Sequence, residues 1–385
     1  MLSHGVLAPA WRLTQRELST FSYKTRMPRM LEQTYRLAWK CRTGLLLVCF
    51  VMSTTTGYSF DWVPTQAEIQ KYRASWNPFS HGPLLIQAVD IHPEGHFSIR
   101  PFIFAQIGEK SYGNRLVLAT EAKNGPVHLY SVQHPFINGA YGLTNHVELG
   151  FGTSINTFWA NNSEAFNRGN GGPWATNTGL GDTTITLKYR PIIQDSDTRR
   201  PSITFVSQLV MPTGVWFTGT ETPPGGFAPL GRFPATQFGS LALTEGVTFR
   251  KNFKPFRISG GAYYTYQVPG SNAGQTTYTP DLINTRLIFE HILDDKTGFG
   301  YNLEFIGLHG TTWRADGHSI NRGQPSGSQV LGVEPALQWR FGHSNFVGAA
   351  GVLFTVAGQN SMQAIYPNFS SFWFWSEQGK EVIMR

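Results

Sequence analysis

After residue 49 the sequence has no cysteine; the two it contains, Cys41 and Cys49, both lie near its start. A disulfide framework and a thiolate metal site are thereby excluded from the rest of the chain. No apolar run reaches the roughly 18 residues of a membrane-spanning helix. Charge is also scarce: 14% of residues are Asp, Glu, Lys or Arg, where a soluble domain carries about 25%. No glycine-rich phosphate loop leads from a strand into a helix, and His309, His318 and His343 lack metal-ligand spacing. The sequence therefore implies no cofactor and no metal. What it does hold is 41 glycines and 14% aromatics in 385 residues. A transmembrane β-barrel reconciles these features, because only every second residue of each strand must be apolar.

The formal charge of +7 belongs mostly to the first 42 residues, which hold eight Lys or Arg against Glu17 and Glu32. The remainder is close to neutral, so the basic balance gives no reason to expect a nucleic-acid partner. Residues 1–59 read as a leader region. The apolar run GLLLVCFVM (44–52) follows Arg36, Lys40 and Arg42 and precedes the small, polar STTTGYS (53–59). This order is that of a signal peptide over about 30–59, cut after Gly57 or Ser59. A membrane anchor is the alternative, but the run falls short of the roughly 20 residues needed. Such leaders lie within 15–30 residues of the start, so translation from Met27 or Met30 is expected rather than from Met1. In the following segment, 60–96, PTQAEIQKYR (64–73) predicts a short helix with Thr65 and Glu68 as a capping box. That segment reads either as an ordinary periplasmic extension or as a partial plug.

From about residue 97 the chain breaks into segments of alternating polarity. In DTTITLKYR (182–190), Ile185, Leu187 and Tyr189 oppose Thr184, Thr186, Lys188 and Arg190. In SQVLGVEPALQWRF (328–341), Leu331, Val333, Leu337, Trp339 and Phe341 oppose Glu334, Gln338 and Arg340. DLINTRLIFEHIL (281–293) and NHVELGFGTSIN (145–156) repeat the pattern. A period of two means strands with two different faces. About twelve strands are predicted, at 97–107, 125–138, 144–158, 180–192, 201–213, 237–251, 256–268, 281–292, 298–309, 328–341, 346–358 and 364–375.

Short and long connections then alternate, with only the last, about 359–363, breaking the pattern. Short turns on one side and long loops on the other are the mark of an outer-membrane barrel, the short turns being periplasmic. The expected fold is thus all-β: an antiparallel transmembrane barrel over 97–376, preceded by a short periplasmic helix and followed by a tail, 377–385. A soluble sandwich shares the alternation but not strands of this length. Aromatics near strand ends, including Trp216, Trp313 and the run SFWFW (371–375), suit the membrane interface.

Three segments carry a family resemblance. YGLTNHVELGFG (141–152), GLGDTTITLKYR (179–190) and PSITFVSQLVMPTG (201–214) resemble, in order and spacing, strands of the MetA-pathway of phenol degradation family. The resemblance implies a bacterial outer-membrane barrel with a transport-like role and brings no catalytic residues. In these motifs Gly179, Gly181 and Asp182 suit a tight strand start, and Pro212 and Gly214 a strand exit into a loop.

The face expected to line the lumen carries Arg100, His146, Glu148, Lys188, Arg190, Arg257, Arg286, Glu290, Glu304, Glu334 and Arg340. These read either as paired charges bracing a narrow barrel or as a polar constriction that selects solutes. The adjacent His343 and Ser344 raise a lipolytic enzyme, but side chains of neighbouring turn residues diverge and lack an orienting third group. The expected function is a channel or transporter for small, hydrophobic or aromatic solutes, with outer-membrane lipid as its surroundings and no enzymatic activity. A plugged structural or surface-interaction barrel is the alternative.

Overall fold

A computed structural model describes residues 63–376 apart from 78, 86–88, 162–173, 196–199, 215–240, 269, 273–274, 279–280, 312–313, 316–317, 320–326 and 343–345. The expected leader, the tail 377–385, most of the long 214–236 loop and the His343–Ser344 pair lie outside the described residues. The helix α1 (Gln66–Ala74) opens the described chain. Thr65 and Glu68 form the capping box: the Thr65 hydroxyl accepts from the Glu68 amide, and the Glu68 carboxylate accepts from the Thr65 amide at 2.9 Å. The helix buries Ile69 and Tyr72 against Ile193.

Twelve barrel strands follow. They are β1 (His96–Ile99 and Phe102–Ser111), β2 (Lys123–Thr144), β3 (Val147–Asn161) and β4 (Trp174–Leu180 and Thr183–Ile192). Next come β5 (Ser202–Met211), β6 (Ala242–Phe253), β7 (Phe256–Gln267) and β8 (Leu282–Asp294). The ring ends with β9 (Phe299–Gly310), β10 (Ser328–Arg340), β11 (Phe346–Gln359) and β12 (Met362–Ser376). Each strand pairs antiparallel with the next, and β12 pairs back onto β1 through Trp373↔Ile99 and Ser370↔Phe102. Closure leaves no free edge, which is what a strand structure inside hydrocarbon requires. Strand β1 breaks at Arg100–Pro101, where proline has no amide to give the ladder. Strand β4 breaks at Gly181–Asp182, and there Asp182 Oδ1 accepts from the Gly214 amide at 3.1 Å. The turns at Asn145–His146, Lys254–Pro255 and Asp295–Gly298 are tight and lie at one end. They share that end with the start of β1 and the finish of β12.

The burial of the two faces decides between sandwich and membrane barrel. Along β4, Ile185 and Leu187 are exposed, Leu187 at 45%, while the alternating Thr186 and Lys188 are buried, Lys188 at 8%. The same inversion runs around the ring: Ile103, Phe151, Phe205, Leu243, Leu287 and Leu337 face outward. Glu148, Thr204, Thr248, Glu290, Glu304 and Gln338 face inward. A continuous apolar belt is incompatible with water and matches lipid.

Two outcomes follow. Leu187→Arg, near the middle of the belt, is expected to lower folding stability by about 2–4 kcal/mol, measured by urea unfolding in lipid vesicles; Leu187→Ile should be near neutral. Glu68 is held below its ordinary value of 4.5, first by the Thr65 amide, against a smaller opposing effect of burial, then by the Thr65 hydroxyl and Arg200. Its capping contribution is therefore present above about pH 4.5 and lost as pH falls through the lowered value. Hydrogen exchange in α1 should accelerate across that acidic window, and Glu68→Gln should flatten the dependence.

Candidate functional site

The interior of the barrel is occupied by its own N-terminal segment. A chain without regular structure carries backbone donors and acceptors that must be satisfied wherever water is excluded. Here the inward side chains satisfy them. Near the turn-rich end, Asn77 Nδ2 donates to the Asp295 carbonyl at 2.8 Å, and the Phe79 ring lies 3.9 Å from the Arg340 guanidinium. Further in, Gln338 Oε1 accepts from the Gly82 amide at 3.1 Å, while Asn302 Nδ2 donates to the Gly82 carbonyl at 2.8 Å. The segment reaches Glu304, whose carboxylate accepts from the Leu84 amide at 2.5 Å and the Leu85 amide at 3.4 Å. Arg100 Nη2 donates to the Leu84 carbonyl at 2.6 Å.

The return path is held as firmly. Thr204 Oγ1 donates to the Val89 carbonyl at 2.6 Å. Asp90 meets Arg250, with Arg190 Nη1 at 3.4 Å, Arg257 Nη2 at 3.7 Å and the Tyr72 hydroxyl at 2.6 Å. Arg190 and Arg250 are each 1% exposed, so the Asp90 carboxylate offsets cations that have lost their water. Glu148 accepts from the His92 amide at 2.9 Å, lies 2.5 Å from His92 Nδ1 and pairs with Lys188 Nζ at 2.7 Å. Two glycines cut the wall to fit. A Cβ at Gly142 would collide with the carbonyls of His92 and Pro93, and one at Gly351 would come 2.9 Å from Leu84 Cδ1.

The expected lumen residues therefore separate into groups. Glu148 and Lys188 form one cross-strand pair, directly opposite in register. Arg190, Arg257 and Glu290 join Asp90, with Arg257 Nη1 3.6 Å from Glu290 Oε2. Glu304 and Glu334 face each other across β9 and β10, and Asn368 donates to Glu334. Arg286 stands beyond them toward the long-loop end, opposite Ile306 in register, and Arg100 lies at the break in β1. His146 sits in the β2–β3 turn and Arg340 at the same rim; neither joins these clusters. Sequence reasoning missed Asp90, Arg250, Asn302 and Asn368. Arg250 was accessible to it, falling on the same face as Thr248 and Asn252; Asp90 was not, since nothing local says that it meets residues 100 and 160 positions away.

Beyond Leu84 and Leu85 a cavity of about 410 Å³ opens in the long-loop half of the barrel. Its wall changes character. The inward positions after Glu304 on β9 are Ile306 and Leu308, and Val330, Leu353, Phe104 and Tyr366 face them from other strands. Among the described residues Arg100 and Arg286 are the charged groups of the wall, no acidic residue lines it, and Gln133, Asn138, Thr355 and Asn368 are polar members of it. The signal was in the sequence: FIF (102–104), FIGL (305–308) and VLF (352–354) are apolar on both faces, where the lower strand halves alternate.

No protein-family model and no curated protein matches the sequence, so the resemblance to the MetA-pathway family has no family match beside it. Solved structures do match. The COG4313 outer membrane channel from Pseudomonas putida F1 aligns with a TM-score of 0.59 at 11% identity, over 76% of this chain and 100% of that one. The Pseudomonas putida toluene transporter TodX aligns at 0.36 and 8%, over 73% and 90%. The transport unit of the Escherichia coli autotransporter AIDA-I aligns at 0.39 and 10%, over 80% and 98%. At such identities the first likeness is one of fold. Together with the outward apolar belt, it places the chain in the bacterial outer membrane as a closed twelve-stranded barrel.

Proposed function

We propose that this barrel is a channel for small, hydrophobic or aromatic solutes, its inner half filled by residues 63–95 acting as a plug. The reading is carried by the switch in the inward face: polar and paired where the N-terminal segment is seated, apolar around the open cavity beyond it. Cavities of roughly 300–1,000 Å³ with mostly apolar walls and a few polar groups are the usual form of a small-molecule site. The Pseudomonas putida F1 structure of the same fold is itself an outer membrane channel. A plugged structural barrel is the second reading, favoured by the number of separate contacts that hold the segment. On either reading the inward charges brace: those at Asp90, Glu148 and Glu304 are used by the segment itself.

The two readings part on what happens when the segment is loosened. Asp90→Ala leaves Arg190 and Arg250 buried without their counter-ion, a loss of about 3 kcal/mol in the seating of the segment. In planar bilayers the wild-type protein is expected to show small, steady conductance and Asp90→Ala several-fold larger, flickering steps. Liposome swelling should rise in parallel. A wild type and a variant that both insert, both retain heat-modifiable gel migration and both stay electrically silent would favour the structural barrel.

A further inference from the structure

The cationic side chains of the lumen are not equivalent. Arg190, Arg250 and Arg257 all lie against Asp90, and Lys188 against Glu148. Arg100 is tied to the Leu84 carbonyl and, through Nε, to the Ser370 hydroxyl at 2.9 Å. Arg286 differs. Among the described residues no carboxylate oxygen lies in ion-pair contact with it, and its Nη1 is buried without a hydrogen-bond partner, as are Nε and Nη2 of the ion-paired Arg190 and Arg250. It nevertheless lines the cavity. The nearest acids, Glu304 and Glu334, are not among the described residues that line the cavity. Glu304 is occupied by the Leu84 and Leu85 amides, and Glu334 accepts from Asn368.

A guanidinium taken out of water without a partner is costly, and a bound anion removes that cost. The same group on the wall of an apolar chamber defines a ligand with two ends. Its planar fork matches a carboxylate, and Ile306, Leu308, Val330 and Tyr366 offer the other end a hydrocarbon surface. Resting on the channel reading above, we propose that the cavity is a binding site for small amphipathic carboxylates, single-ring or short-chain acids, with Arg286 holding the carboxylate. Neutral hydrocarbons fit the walls but leave Arg286 unpartnered, so the site discriminates in favour of the anion.

Titration calorimetry on the full chain in a neutral detergent at pH 7.5 tests this with three probes: benzoate, benzyl alcohol and inorganic phosphate. Benzoate is expected to bind about tenfold or more tightly than benzyl alcohol, and phosphate more weakly than benzoate because it has no apolar end. Arg286→Met should abolish the preference and leave benzyl alcohol binding unchanged, while Arg286→Lys should keep part of it. Heat-modifiable gel migration confirms that each variant is folded; if Arg286→Met does not fold, Arg286→Gln takes its place. Equal binding of benzoate and benzyl alcohol, a preference that survives loss of Arg286, or phosphate binding as tight as benzoate would each overturn the inference while leaving the channel reading intact. Failure of both benzoate and benzyl alcohol to bind would overturn the inference and count against the channel reading as well.

Discussion

Hydrogen-bond satisfaction in the absence of water governs this molecule. Hydrocarbon outside the wall can accept and donate nothing, so the backbone must close on itself, and the antiparallel ring from β1 to β12 does so. The same rule then applies inside. An irregular segment threaded through the lumen brings its own amides and carbonyls, and inward Glu148, Gln338, Asn302, Thr204 and Arg100 each serve one of them. Glu304 receiving two successive amides is the clearest case. Charge-assisted bonds of this kind contribute about 1.5–3 kcal/mol each.

From that constraint follows the division of the interior. Where the segment lies, the wall is polar, the charges are matched and the backbones come close enough to demand glycine at position 142. Where it does not reach, the wall is released from the need to hydrogen-bond a plug, and around the cavity part of the inward face turns apolar, at Phe104, Ile306, Leu308, Val330 and Leu353. Arg286 stands at the boundary between the two regimes. It belongs by position to the polar ladder and by surroundings to the apolar chamber, and this double membership gives the chamber its direction.

Much of the barrel was legible in the sequence because its signals are local. Period-two alternation and turn residues placed β7 at 256–268 and β9 at 298–309, against Phe256–Gln267 and Phe299–Gly310 in the structure. The alternation of short and long connections supplied the count of twelve. The helix was equally readable, since Thr65 and Glu68 form their box within four residues. The path of the described residues of 76–93 was not, because irregular backbone has no period and most of its partners lie far along the chain, 56 positions away for His92 and Glu148 and 220 for Leu84 and Glu304. The charged ladder was visible as a face, but its sorting into paired and unpaired cations depended on Asp90, whose role is set by the path. The apolar chamber was missed for another reason: attention to polar inward residues passes over strands that are apolar on both faces.

The central claim is that the N-terminal segment is seated inside the barrel with Leu84 at mid-depth, between Ala336 and Ala349. The chain has no cysteine after residue 49, so a pair introduced as Leu84→Cys and Ala336→Cys reports on that seating directly. Treated with a short bismaleimide in intact outer membranes, the pair is predicted to cross-link within one chain, independently of protein abundance, and to resist a bulky water-soluble maleimide. Ready labelling of position 84 by the bulky reagent, with no link to position 336, would contradict the account.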